Sequence, residues 1–338
     1  MSPRHADIFC VSNALLQGGG RDDATQWLVR ELSALGVRVG RVLFLLPERE
    51  LFVEEFRRSI GRGTEMLVTL GGLGPCDDDR TLMWLAAALE RPFEISNEML
   101  QMLQDRYEGL AQAGMVATSR LSECRRNMAF CPRGAIPLEN KAGLAPGVFI
   151  ETRQMTIIAL PGEPLEARSV FEGNTLATRL KLSLAGLGYA DEVVELESND
   201  EASAIDIVKH VKMQHPGVVI AVRGGLSDHS PVLRLHLCAW TEEPEKPAGE
   251  AKPTPEFPRT GSRTMPSVGS GSKPMMTVTV AELESAGART LRARARAQEL
   301  IAHAIADLEQ EVMSIRHSDD ESRPEVKIGM RRRAPEYR

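Results

Sequence analysis

The segment Leu70-Gly71-Gly72-Leu73-Gly74-Pro75-Cys76-Asp77-Asp78-Asp79-Arg80-Thr81 constrains this chain more than any other, because it sets a glycine turn between a buried strand and a helix. The preceding Glu65-Met66-Leu67-Val68-Thr69 is short and apolar and stops at glycine, while Leu82, Leu85 and Leu89 return at helical spacing. Glycines have no Cβ, so backbone N–H groups there approach an anion closely, and the start of the next helix adds favourable partial charge. Asp77, Asp78 and Asp79 at the same turn would repel a bare phosphate. A metal ion, an acid–base role and plain N-capping are the readings open for at least one of them.

Strand and helix signals alternate around this turn. Residues 6–11 read as a strand and 23–35 as a helix whose Leu28, Leu32 and Leu35 form one stripe before Gly36 stops it. Residues 37–46 read as a second strand, 50–60 as a helix and 66–69 as the third strand. Beyond the turn come a helix over 80–89 and another whose Leu100, Leu103, Tyr107 and Leu110 share a face. Residues 115–147, with Pro132, Pro137 and Pro146, read as loops and short strands passing over a pocket. A hairpin over 148–150 and 155–160, then a helix over 164–187, closes the domain. This order predicts an α/β fold in three αβα layers with a mostly parallel sheet, in which ligands collect beyond the strand C-termini.

A second pattern starts near Asp191. It comprises a strand at 193–196, a helix at 201–214, a strand at 218–222, an alternating strand at 232–240, a long helix at 280–315 and a strand at 326–328. The order βαββαβ predicts a smaller α+β ferredoxin-like unit. Its halves are split by residues 241–276, rich in Pro, Glu, Lys, Gly and Ser, which are expected to be disordered. The domains expected are therefore 1–188 and 189–240 plus 277–330, and a chain of 338 residues has room for both.

A net charge of −6 gives no reason to expect nucleic acid, and the basic stretches at 289–296 and Arg331-Arg332-Arg333 read as solvated faces. No apolar run approaches the roughly 18 to 20 residues that span a bilayer, and no signal-type block opens the chain. A cytoplasmic protein without membrane contact is expected. The five cysteines show no CxxC and no zinc spacing, so reduced thiols are expected, with Cys10 and Cys238 as small core residues.

The glycine turn resembles the Gly-Gly-Leu-Gly-Pro-Thr-x-Asp-Asp-x-Thr signature of the competence/damage-inducible protein A family, a branch of the molybdopterin-binding (molybdenum cofactor biosynthesis) superfamily. Three further segments follow the family's order. Asn13-Ala14-Leu15-Leu16-Gln17-Gly18 resembles Asn-Glu-Leu-Leu-x-Gly. Asn140 to Gly147 resembles Asn-Pro-x-Gly-Thr-Ala-Pro-Gly, and Leu160 to Glu166 resembles Leu-Pro-Gly-x-Pro-x-Glu. The resemblance covers about residues 6–185.

It implies a phosphate-bearing ligand, nucleotide-like or pterin, at the sheet's C-terminal edge. The ligand contacts it implies are Gly71, Gly72, Gly74, Pro75, Thr81, Asn140, Gly143, Ala145, Pro146, Gly147, Pro161, Gly162 and Glu166. Asp78 and Asp79 stand as catalytic candidates, and Asp79 with Glu48 as ligands for a divalent metal such as Mg. The alternatives are a metal-dependent pyrophosphatase acting on ADP-ribose-type substrates and a non-catalytic scaffold. A homo-oligomer is expected, and the nicotinamide mononucleotide amidase activity of longer relatives is not. Ser12, Ala14, Ala24, Leu70 and Cys76 depart from the family pattern and favour binding over catalysis, since a preorganised active site tolerates few such changes. Cys76, flanked by three aspartates, reads as a stand-in for threonine and not as a nucleophile.

Overall fold

The structure, a computed structural model, describes residues 4–19, 22–173, 176–178, 180, 184–198, 201–223, 232–243, 280–317 and 328–333. Its first unit is built on a six-stranded sheet. The strands are β1 (His5–Val11), β2 (Arg38–Leu45), β3 (Met66–Leu70), β6 (Ile136–Leu138), β7 (Gly147–Glu151) and β8 (Thr156–Leu160), in the order β2-β1-β3-β8-β7-β6. The first four in that order run parallel, whereas β7 and β6 are added antiparallel by the hairpin. The mostly parallel sheet expected from the sequence is present.

The period-2 alternation of the central strands divides the core into two. Ile8, Cys10, Val68 and Ile158 face α2 (Asp23–Ala34) and α7 (Pro164–Phe171), where Trp27 and Phe171 meet edge to face at 5.4 Å. Phe9, Leu67, Ile157 and Ala159 face α3 (Arg49–Gly61), α4 (Thr81–Ala88) and α5 (Asn97–Gln112). Both faces are dry because helices cover both, which is why these strands read as continuous apolar runs. The chain leaves β1 toward β2 on one side and returns to β3 on the other. The C-terminal ends of β1 and β3 therefore form a topological switch point, where side chains and loops diverge and leave a crevice.

Several details differ from expectation. The helix placed over 164–187 ends at Phe171, followed by a bend at Gly173; helical residues recur at 176–178 and 180, and Leu187 already belongs to the next strand. A short α1 (Asn13–Leu16), capped by Ser12, and the strand β4 (Phe93–Ile95) were not expected; β4 pairs with β5 (Phe130–Pro132), which lies where short strands were expected. A short α6 (Glu123–Asn127) lies within the region read as loops and short strands.

The second unit follows the order β9 (Leu187–Ser198), α8 (Glu201–Gln214), β10 (Val218–Arg223), β11 (Val232–Glu242), α9 (Val280–His317), β12 (Ile328–Arg333). Its sheet runs β10-β11-β9-β12 with every pairing antiparallel, the ferredoxin-like arrangement. Leu233, Leu235 and Leu237 turn one face of β11 toward Ile301, Ile305 and Leu308 of α9. Strand β9 is longer than expected, and β11 takes in Thr241 and Glu242, which the sequence reading assigned to the insert. The rest of that insert, 244–276, lies outside the described residues. Arg331 to Arg333 belong to β12 and pair along β9 opposite Glu195, Val194 and Val193.

Candidate functional site

A cleft of about 480 Å³ opens at the switch point. Its floor is the end of β1 (Cys10, Val11) with Ser12 and Asn13, and one wall is the turn Leu70–Gly74. Pro161 to Pro164 close the far side at the start of α7, and Ala24 and Thr25 come from the start of α2.

The turn has its shape because three strand ends crowd together. Gly71 has φ +93°, and a Cβ there would lie 2.5 Å from the Val11 carbonyl oxygen. Gly162 approaches from β8, where a Cβ would stand 3.2 Å from the Gly71 Cα. Gly72, at φ +70°, has no room for a Cβ because Thr81 Oγ1 occupies that space. Thr81 is fully buried and donates its hydroxyl to the Gly71 carbonyl at 2.9 Å, while its N–H reaches the Gly72 carbonyl at 3.1 Å. It thus clamps the turn onto α4 and does not face the cleft. Among the described residues, the N–H groups of Gly72, Leu73 and Gly74 have no partner within the chain. Three successive backbone donors at the cleft wall are therefore without a partner among the described residues.

Of the residues expected at a ligand, Gly71, Gly72, Gly74, Asp78, Asp79, Ala145, Pro161, Gly162 and Glu166 line the cleft. Pro75, Thr81, Asn140, Gly143, Pro146 and Gly147 do not. Gly147 serves packing: a Cβ would overlap Val170 and come within 2.9 Å of the Ala159 carbonyl. Cys10, Asn13, Leu15, Asp22, Thr25, Pro47 and Glu163 also line the cleft without having been singled out as contacts. Their common signal is position at a strand C-terminus or a helix start. The glycine motif carried that signal strongly and these residues carried it weakly.

The electrostatics are unusual for an anion site. Five carboxylates, Asp22, Asp78, Asp79, Glu163 and Glu166, line the cleft, and among the described residues no Lys, Arg or His does. Most of these acids are already engaged. Asp22 caps α2 through the Thr25 N–H at 3.0 Å, and Asp78 accepts from Asn13 Nδ2 at 3.0 Å. Asp79 accepts from the Cys76 N–H at 2.8 Å. Cys76 is exposed, and its thiol pKa is raised, first by the charge of Asp79, so the thiol is not activated. Burial pushes the Cys10 thiol up to about 11, and its sulfur lies 2.9 Å from Thr25 Oγ1.

The proposed metal ligands do not come together. Glu48 stands at the N-cap of α3, is exposed and does not line the cleft, whereas Asp79 is committed to the turn. Among the described residues no three His, Cys, Asp or Glu side chains are placed to share an ion. Among the described residues the donor set does not fit a resident divalent metal.

The model of the probable molybdopterin binding domain matches residues 7–180, so this chain belongs to the family defined by that domain. A protein of Pyrobaculum calidifontis is 32% identical over 245 residues, covering 72% of this chain and 90% of the relative. One from Sulfurisphaera tokodaii is 31% identical over 238 residues, covering 70% and 87%. Among solved structures, the protein CinA with unknown function from Thermoplasma acidophilum is similar at 24% identity and TM-score 0.47, over 53% of this chain and 98% of that one. The molybdopterin biosynthesis enzyme MoaB from Thermus thermophilus is similar at 18% identity and TM-score 0.36, over 54% and 94%. The second unit lies beyond the matched domain. No helix among the described residues is long and apolar enough to cross a membrane.

Proposed function

We propose that this chain binds a phosphate-bearing ligand, nucleotide-like or pterin, at the C-terminal edge of its parallel sheet. The observation that supports this reading is that Gly72, Leu73 and Gly74, whose N–H groups have no partner among the described residues, line a cleft that the start of α7 also lines. Backbone donors and a helix N-terminus favour an anion without a basic side chain. The cleft volume suits a small organic ligand. The five carboxylates impose a limit, since they repel charge that is not held directly against the amides.

The test is a thermal-shift screen of the full chain with nucleotides, ADP-ribose and molybdopterin, with and without Mg. A ligand at about 100 times its Kd stabilises the folded state by about 2.7 kcal/mol, well within reach of the method. A saturable rise in Tm with at least one of these compounds is expected. No shift with any of them would remove the binding reading.

A further inference from the structure

We infer that Glu166 selects ligands that carry a hydrogen-bond donor beside their anionic group, and that buried Asn140 is the positioning residue that aims its carboxylate. The inference rests on the ligand-binding reading above and adds a substrate class to it.

Asn140 is buried, and everything its side chain can offer is used within the protein. Its Nδ2 donates to the Ala145 carbonyl at 3.0 Å and to Glu166 Oε2 at 2.6 Å. Its Oδ1 accepts from the N–H groups of Gly143 at 2.8 Å and Ala142 at 3.2 Å. Two N–H bonds and two lone pairs exhaust an amide, so Asn140 has nothing left for a ligand. Gly143 is pressed against the Glu166 carboxylate so closely that any Cβ there would overlap it. The carboxylate is therefore fixed on two sides, and Glu166 reaches the cleft lining with Oε1 free of any partner among the described residues.

An ionised carboxylate only accepts. At this position it repels the ligand's anionic end, which belongs at Gly72 to Gly74, and rewards an O–H or N–H on another part of the molecule. The class that meets both demands is a phosphate ester bearing a hydroxyl or amino donor.

Replacing Glu166 by Gln separates this account from plain charge. The substitution removes one negative charge from an acidic cleft, and charge alone would then tighten binding of every phosphate. Asn140, however, donates to the oxygen nearest it, so it would orient the new carboxamide with its carbonyl inward and its NH2 group toward the cleft, where it opposes a ligand donor.

The experiment is calorimetric titration of the full chain with methyl phosphate, which has no other donor, and with glycerol 3-phosphate, adenosine monophosphate and guanosine monophosphate. The wild-type chain is expected to bind at least one donor-bearing ester about tenfold or more tighter than methyl phosphate, the worth of one hydrogen bond to a charged group. Glu166→Gln should close that gap while leaving methyl phosphate as tight or tighter. Asn140→Ala should narrow the gap, a result that a merely structural role for Asn140 would not give. Absence of a gap in the wild type, or a gap that survives Glu166→Gln, overturns the inference. Failure of every ester to bind, methyl phosphate included, overturns the inference, and joined to the absence of any shift in the thermal screen it overturns the binding reading as well.

Discussion

At the N-terminal end of β1, Asp7 is only 3% exposed, yet its carboxylate receives Ser59 Oγ at 2.6 Å, Thr64 Oγ1 at 3.1 Å, and guanidinium groups of Arg41 at 3.0 Å and Arg62 at 3.1 Å. At the C-terminal end of the same strand, polar groups from the neighbouring turn are left without partners among the described residues, and carboxylates line the opening with no described cation among them. One end is a buried charge closed by side chains. The other is open backbone held in shape by glycines and by Thr81. Buried polar groups that are fully paired hold a fold together, whereas paired geometry that stops short at a cleft leaves hydrogen bonds for something else to complete.

The contrast breaks most sharply at Asp7. Asp7→Ala strips the carboxylate from between Arg41 and Arg62 and leaves the Ser59 and Thr64 hydroxyls without their acceptor. The first unit is expected to lose about 3 kcal/mol, read by urea denaturation. Affinity for a phosphate ester, measured under conditions where the variant is folded, should not change. A loss below about 1 kcal/mol would mean that solvent replaces the carboxylate and that the closed end matters little.

Gly72→Ala tests the open end. The substitution forces a Cβ into the left-handed region and against Thr81 Oγ1, which should cost about 1 to 3 kcal/mol. It should also abolish stabilisation by any phosphate ester found in the screen. Thr81→Ala removes only the clamp from the Gly71 carbonyl and should cost about 1 kcal/mol while binding weakens without vanishing. If Gly72→Ala binds as well as the wild type, the ligand does not use this turn.

A closed polar pair in the second unit sharpens the comparison through pH. His236 Nε2 lies 2.9 Å from Asp191 Oδ2, across the β9–β11 pairing, and this bond, with a lesser one from Cys238, raises the imidazole pKa from 6.5 to about 9. Because the folded value stands above the unfolded one, the stabilisation is complete below about pH 6.5 and is lost as pH rises through 9. Allowing for solvent at this half-buried site, about 1 kcal/mol should disappear across that window, read from Tm against pH. Asp191→Asn should flatten the slope. A slope that persists in the variant would assign it to another group.

How much of this was readable in the sequence depended on how local each signal was. The strand–glycine–helix passage at 66–81 and the stripe Ile301, Ile305, Leu308, Val312 in α9 are periodic over one element, and both were legible. Asp7 was read only as part of a strand, because its partners lie 34 to 57 residues away and meet it only once β1, β2 and α3 are assembled. His236 and Asp191 likewise depend on a register that pairs Cys238 with Asp191 and leaves the histidine diagonal to it. Asn140 and Glu166 were legible as motif positions, but nothing in the sequence shows that one of them faces inward. The four-residue α1 and the three-residue strands β4 and β5 are too short to display a period.

The smallest expected effect concerns the rim of the open end. Asp79 takes the Cys76 N–H and, by its charge first, raises the Cys76 thiol pKa, so this exposed thiol should be slow toward disulfide reagents. In a Cys124→Ser background, where Cys10, Cys131 and Cys238 are buried, Ellman's reagent at pH 8 reports on Cys76 alone. Its rate should fall several-fold below that of free cysteine, and Asp79→Asn should restore most of the difference by removing the nearest charge. An Asp79→Asn rate equal to the wild type would show that access and not charge governs the thiol. The carboxylates at the cleft mouth would then be too well screened to repel a phosphate, and the limit placed on the ligand's charge would relax with them.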